Sequence, residues 1–113
     1  MSVDENKKVA RIYHDLNPED VEKILIPGFI GRHVKNRFTW RRDTHKEFLA
    51  NHPEMKDTIH EQIAEGDWVA TRFIRTGTLK NKHLGAEIMH FKRFEDGKIA
   101  EIWEYFDSKQ LEQ

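Results

Sequence analysis

The chain contains no cysteine, and its only two serines are Ser2 and Ser108. Without cysteine, disulfides, thiolate nucleophiles and Cys-ligated zinc or iron–sulfur centres are excluded. Both serines lie near the ends of the sequence, where a Ser-His-Asp nucleophile would be poorly held. An excess of one charge is missing as well: 19 basic residues face 20 acidic ones, for a net charge of −1. A general nucleic-acid binder is expected to be markedly basic, so nucleic acid is not an expected partner. No apolar run approaches membrane-spanning length, and the opening Met-Ser-Val-Asp-Glu-Asn-Lys-Lys has no apolar signal-peptide core. The default expectation is a cytoplasmic protein with no membrane partner. Repeats and linker-like stretches are absent too, so the 113 residues are expected to form one domain, 1–113.

What is present is a polar but foldable composition, 37% hydrophobic and 35% charged. It predicts a small core, one that a second copy of the chain would complete. The first half reads as helical. Val9, Ile12, Tyr13 and Leu16 recur at the spacing of a buried helix stripe. Asn17-Pro18-Glu19-Asp20 stops that helix and starts another, with Asn17 as cap and Pro18 in the first turn. Val21, Ile24 and Leu25 form its buried face, and Pro27-Gly28 breaks it. Residues 28–42 read as an irregular arm. Thr44-His45-Lys46-Glu47 has capping-box spacing for a third helix that ends before Pro53.

From residue 56 the pattern turns to strands: Ile59 to Ala64 weakly, then Trp68 to Thr76, 86–94 and 98–107. Helices first and an antiparallel sheet second define an α+β fold. Asp96-Gly97 between the last two strands is a hairpin signal that allows two registers. A three-residue loop, Glu95-Asp96-Gly97, puts His90 and Glu104 on one face as diagonal neighbours. A two-residue turn puts His90 opposite Trp103 and turns Glu104 to the other face. Large apolar residues occupy both faces, Ile88 and Phe94 on one and Met89 and Phe91 on the other. One face should therefore meet the helices and the other a second subunit.

Three segments resemble the SnoaL-like polyketide cyclases of the nuclear-transport-factor-2-like superfamily. Residues 16–33 are similar to the family's second helix with its Pro-x-Phe-x-x-x-His exit, here Pro27, Phe29 and His33. Residues 65–78 are similar to its Gly-Asp-x-Val-x-x-Arg-Phe strand ending in Thr-Gly-Thr. Residues 94–104 are similar to its Phe-x-Asp-Gly-Lys-Ile-x-Glu-x-Trp-Asp ending. The resemblance implies a cystatin-like cone, with N-terminal helices packed on a curved antiparallel sheet around one deep apolar pocket, commonly in a homodimer. It chooses the three-residue loop. It also places the family's acid–base pair on His90 and Glu104, the latter a Glu where the family usually has Asp. The stretch from Thr78 to Ile88 is shorter than in most members, which leaves the pocket more open or smaller.

The chemistry of such a pair can be argued from physical principle. An apolar cavity raises a carboxyl pKa towards neutrality, and a neighbouring His⁺ pulls it back. Together they can take a proton from an activated carbon and return one to a carbonyl oxygen. The expected function is a small cofactor-independent enzyme performing this chemistry on a small apolar carbonyl compound. The alternative is a noncatalytic module of the same fold that binds an apolar ligand or mediates association. Tyr13, Phe29, Trp40 and Arg72 are the ligand-binding candidates, although the aromatics also suit a core and Arg72 a sheet ion pair. Asp107 reads as a cap or surface charge, and the basic stretch 32–42 as a solvated loop or an anion-receiving arm. The seven histidines show no metal-ligand spacing, since His60-Glu61 has no second His at residue 64. No metal or cofactor is expected.

Overall fold

A computed structural model describes residues 2–35, 38–79 and 82–106. Helix α1 (Val3–Tyr13) starts at Ser2, whose hydroxyl accepts from the Glu5 N–H at 3.1 Å. The Glu5 carboxylate in turn accepts from the Ser2 N–H at 3.3 Å, closing a capping box. Asn6, Ala10 and Tyr13 form the buried face, whereas Val9, Ile12 and Leu16 are only half-buried. The apolar stripe thus marks the edge of the contact rather than its centre. A 3-10 turn (Pro18–Asp20) capped by Asn17 leads into a one-turn helix, α2 (Val21–Ile24), much shorter than expected.

The segment expected to be an irregular arm is instead sheet. Strand β1 (Leu25–His33) runs straight out of α2, and β2 (Thr39–Arg41) pairs with it antiparallel. Pro27 and Gly28 read as breakers, but they fall where β1 shifts register between Leu25 and Ile30, which is where a missing N–H is tolerated. Helix α3 (Arg42–Asn51) begins two residues before Thr44. The Thr44 hydroxyl accepts from the Arg41 N–H at 2.9 Å and donates to the Arg41 carbonyl at 3.0 Å.

The remaining strands are β3 (Lys56–Glu65), β4 (Trp68–Leu79), β5 (Lys82–Glu95) and β6 (Lys98–Tyr105). The sheet order is β2-β1-β6-β5-β4-β3, antiparallel throughout except for the parallel pair β1–β6. The β4–β5 ladder runs as far as Leu79 and Lys82, so the connection is as short as the sequence implied. Asp107 lies outside the described residues. This α+β cone has its helices on the inner face of a curved, open sheet. Tyr13, Val21, Leu25, Phe29, Leu49 and Phe94 belong to the main core cluster, while Phe73, Ala86 and Ile88 form a second.

The β5–β6 register follows neither sequence alternative as drawn. Glu95 pairs with Lys98 across a two-residue Asp96-Gly97 turn, both at positive φ (49° and 81°). That turn alone would send Glu104 to the outer face. Phe94 pairs with Ile99 but Arg93 with Glu101, so Ala100 is an extra residue, a β-bulge with Ile99 and Ala100 both buried. The bulge restores phase, and His90 faces Glu104 directly rather than diagonally.

Candidate active site

Between α1, α3, β2 and the inner face of the sheet lies a cavity of about 480 Å³, within the range typical of small-molecule sites. Phe38, Trp40, Phe48, Ile88 and Phe106 supply much of its apolar wall, and Tyr13, His45, Arg75 and Glu104 supply polar groups. Trp40 reaches the wall because it pairs with Gly31, where any β-carbon would collide with the indole ring.

Glu104 is 6% exposed and His90 is 2% exposed. Glu104 Oε1 lies 2.8 Å from His90 Nε2. Burial pushes the Glu104 carboxyl up to about 7, against the pull of Arg75 and Lys92. Burial also drives the His90 imidazole well below its ordinary value, with the Lys92 charge acting in the same direction. The imidazole is therefore neutral near pH 7, while the carboxyl is close to half-protonated. With its proton on Nε2, His90 donates to Glu104 Oε1 whether or not the other carboxyl oxygen carries a proton. His90 itself packs behind the cavity wall, edge-on to Phe73 at 4.7 Å and to Tyr13 at 5.8 Å.

A second buried network flanks this pair. Arg75 Nε and Nη2 donate to the two Asp57 oxygens at 2.7 and 2.9 Å, and His14 Nδ1 lies 2.8 Å from Asp57 Oδ2. Burial opposes the ionised form of Asp57, but the hydrogen bonds from His14 and Arg75 prevail and hold its carboxyl below the usual value. Burial takes His14 down to about 3 and His45 down to about 4. An ionised Asp57 only accepts, so neutral His14 donates through Nδ1. Tyr13 stacks on His45, with ring centroids 4.8 Å apart, and burial raises its phenol. Lys92 is wholly buried and donates to the Thr71 hydroxyl at 2.9 Å, and burial lowers its ammonium pKa far below the ordinary value.

Of the sequence candidates, His90, Glu104, Tyr13 and Trp40 converge on this region. Phe29 and Arg72 do not line the cavity. Phe29 is wholly buried in the main core, 6.4 Å from the Trp40 ring. Arg72 points to the outer face of the sheet, bonded to Glu61 at 2.9 Å and Glu87 at 3.0 Å, the ion-pair arrangement already considered for it. The arginine in phase with inward-facing Thr71 and Phe73 is Arg75. Sequence reasoning passed over Arg75, Asp57, His14, His45 and Lys92. Strand alternation could have found two of them: Arg75 follows 71 and 73, and Lys92 follows 88 and 90. Asp57, His14 and His45 carry no such signal, because their inward orientation depends on how separate elements pack. Among the described residues, no group of three or more His, Asp or Glu is arranged to hold a metal ion.

The helices, the cone-shaped sheet and the cavity define a nuclear-transport-factor-2-like architecture. The chain belongs to the SnoaL-like polyketide cyclase family, whose model matches residues 6–113. Similar solved structures include a provisional polyketide cyclase of Bacillus cereus ATCC 10987, with 21% identity and a TM-score of 0.80, covering 96% of this chain and 78% of that one. An LEH-like epoxide hydrolase of M. tuberculosis shares 18% identity at a TM-score of 0.80, covering 96% and 87%. IdmH, a provisional polyketide cyclase of Streptomyces antibioticus, shares 18% identity at a TM-score of 0.76, covering 94% of each chain. At these identities the likeness shows the fold alone. None of the curated proteins matches the chain in sequence.

Proposed function

We propose that this protein is a cofactor-independent acid–base enzyme acting on a small apolar carbonyl compound held in the cavity. Glu104 is the proton-transfer group and His90 the residue that positions it. The observation that carries this reading is the buried 2.8 Å contact between them at the cavity wall. In its ionised form Glu104 takes a proton from the carbon beside a carbonyl: the C–H bond breaks, an O–H bond forms on Glu104, and the electron pair moves to the carbonyl oxygen. Returning that proton to another carbon gives isomerisation. Attack of the enolate carbon on a second carbonyl gives ring closure: a C–C bond forms, the second C=O π bond opens onto its oxygen, and that oxygen takes the proton back from Glu104. His90, neutral with its proton on Nε2, donates to Glu104 Oε1 throughout, so the substrate's proton is taken and returned by the other carboxyl oxygen while the pair stays in place. The family match supports small-molecule acid–base chemistry of this kind.

The test is α-proton exchange in D2O. A panel of small cyclic ketones followed by NMR should include members whose exchange the protein accelerates, and Glu104→Gln should lower that rate by roughly 100-fold or more. Ketones that bind without exchanging would instead assign a noncatalytic binding module. The same reading makes the outer sheet face the seam of a homodimer, since Met89, Phe91, Trp103 and Tyr105 stand exposed there around a shallow groove.

A further inference from the structure

Among the described lining residues of the cavity, Arg75 is the cation, and its geometry exceeds what a structural ion pair needs. A guanidinium carries five N–H donors. Asp57 takes two of them, from Nε and Nη2, which leaves both donors of Nη1 and one of Nη2. The Asp57 side chain is wholly buried while that of Arg75 remains 17% exposed, so the uncovered edge of the guanidinium is the one that borders the cavity. Its plane is fixed from two further directions. The Phe73 ring lies beneath Cζ at 5.5 Å, and His14 anchors Asp57 at 2.8 Å. Arg75 pairs with Ala86 and Glu104 with His90, four residues further along β5, or about 13 Å of strand. Ile88 lies midway between and lines the cavity, and the arginine arm extends over Phe73, the cross-strand partner of Ile88, which carries the guanidinium along the gap from one end.

We propose that Arg75 is the oxygen-binding group of the cavity and that its free N–H edge selects uncharged ketones over carboxylates. Asp57 already neutralises Arg75, so a bound carboxylate would bring an unbalanced negative charge beside Glu104, whereas a ketone brings none. The same edge suits the chemistry. When Glu104 removes the α-proton, negative charge leaves the carboxylate and arrives on the ketone oxygen, where fixed donors receive it without rearrangement. The chemical part of this inference rests on the acid–base role of Glu104; the binding part does not.

Three ring-matched probes test it: 2-tetralone, the hydrocarbon tetralin and the carboxylate 2-naphthoate. Dissociation constants are measured by ligand-observed NMR on wild-type protein and on the double variant D57N/R75Q, which removes both charges together. The expected result is that 2-tetralone binds on the order of tenfold more tightly than tetralin and more tightly than 2-naphthoate. In the double variant the ketone preference should vanish while tetralin affinity holds. If thermal melting shows that variant unfolded, Arg75→Lys, which keeps the charge but loses the fork, should show the same selective loss. A wild-type protein without ketone preference, a preference that survives either substitution, or tighter binding of 2-naphthoate would overturn the proposal. Glu104→Gln should keep the ketone preference while losing exchange. An Arg75-dependent preference in a wild-type protein that exchanges no ketone leaves Arg75 assigned and removes the catalytic role of Glu104.

Discussion

Glu104 sits where a carboxylate is costly. Its ordinary value of 4.5 rises to about 7 in the folded chain because burial disfavours the charge. The folded state therefore holds this proton more tightly than the unfolded one. The resulting stability is fully present below about pH 4.5 and is lost as pH rises through 7. At 6% exposure the effect approaches about 3 kcal/mol. Glu104→Gln keeps an acceptor for His90 Nε2–H and carries no charge. In urea melts it should match wild type near pH 4 and exceed it by up to about 3 kcal/mol above pH 8. A difference independent of pH would remove the buried-carboxyl account. His14 and His45 work in the opposite sense, because their folded values of about 3 and about 4 lie below the ordinary 6.5. Their contribution is complete above 6.5 and is lost as pH falls towards those values, so wild-type protein should weaken in mild acid. The resemblance picked out His90 and Glu104 at this scale, but Arg75 was missed and Arg72 chosen. The two differ only in strand parity, which became readable once β4 was anchored by buried Val69 and Phe73.

At the scale of elements, the strands from residue 56 onward were legible because β-branched and aromatic residues alternate there and Asp96-Gly97 marks its own turn. β1 was not legible. Beyond its short antiparallel pairing with β2, its hydrogen bonds go to β6, some 70 residues later in the chain, and no local pattern reports a parallel partner. The bulge at Ala100 was equally hidden, since a buried alanine beside a buried isoleucine reads as ordinary strand. It absorbs one residue, and this gives a sharp expectation. Deleting Ala100 should leave Arg93 facing Glu101 and His90 facing Glu104, with ketone exchange retained, whereas inserting a residue after Ile102 should turn Glu104 outward and abolish exchange. Retained exchange in the insertion variant would count against the register argument. Gly31 is a second such position. Gly31→Ala drives a methyl group into the Trp40 ring and should destabilise the fold by about 1–3 kcal/mol while displacing one cavity wall. Thermal melting and 2-tetralone affinity would check both effects.

For the whole molecule, the two faces of the sheet divide the work. The inner face carries the core and the cavity. The outer face exposes Met89 (53%) and Phe91 (59%) between salt bridges from Arg32 and Arg93 to Glu101 and from Arg72 to Glu61 and Glu87. Sedimentation should find a dimer, and Phe91→Glu should give a monomer that keeps its cavity; a wild-type monomer at micromolar concentration would end the seam assignment. The sequence showed apolar residues on both faces, but only the strand order shows which of them are left uncovered.

That order has a consequence for biosynthesis. β6, the most C-terminal of the described strands, lies in the interior of the sheet between β1 and β5. While a ribosome is still extending the chain, β1 has no neighbour on that side and the seat for Glu104 is unfilled. Joining of the two halves of the open sheet and placement of Glu104 beside His90 therefore coincide in a single event, and a nascent chain halted before residue 98 should remain a client of chaperones.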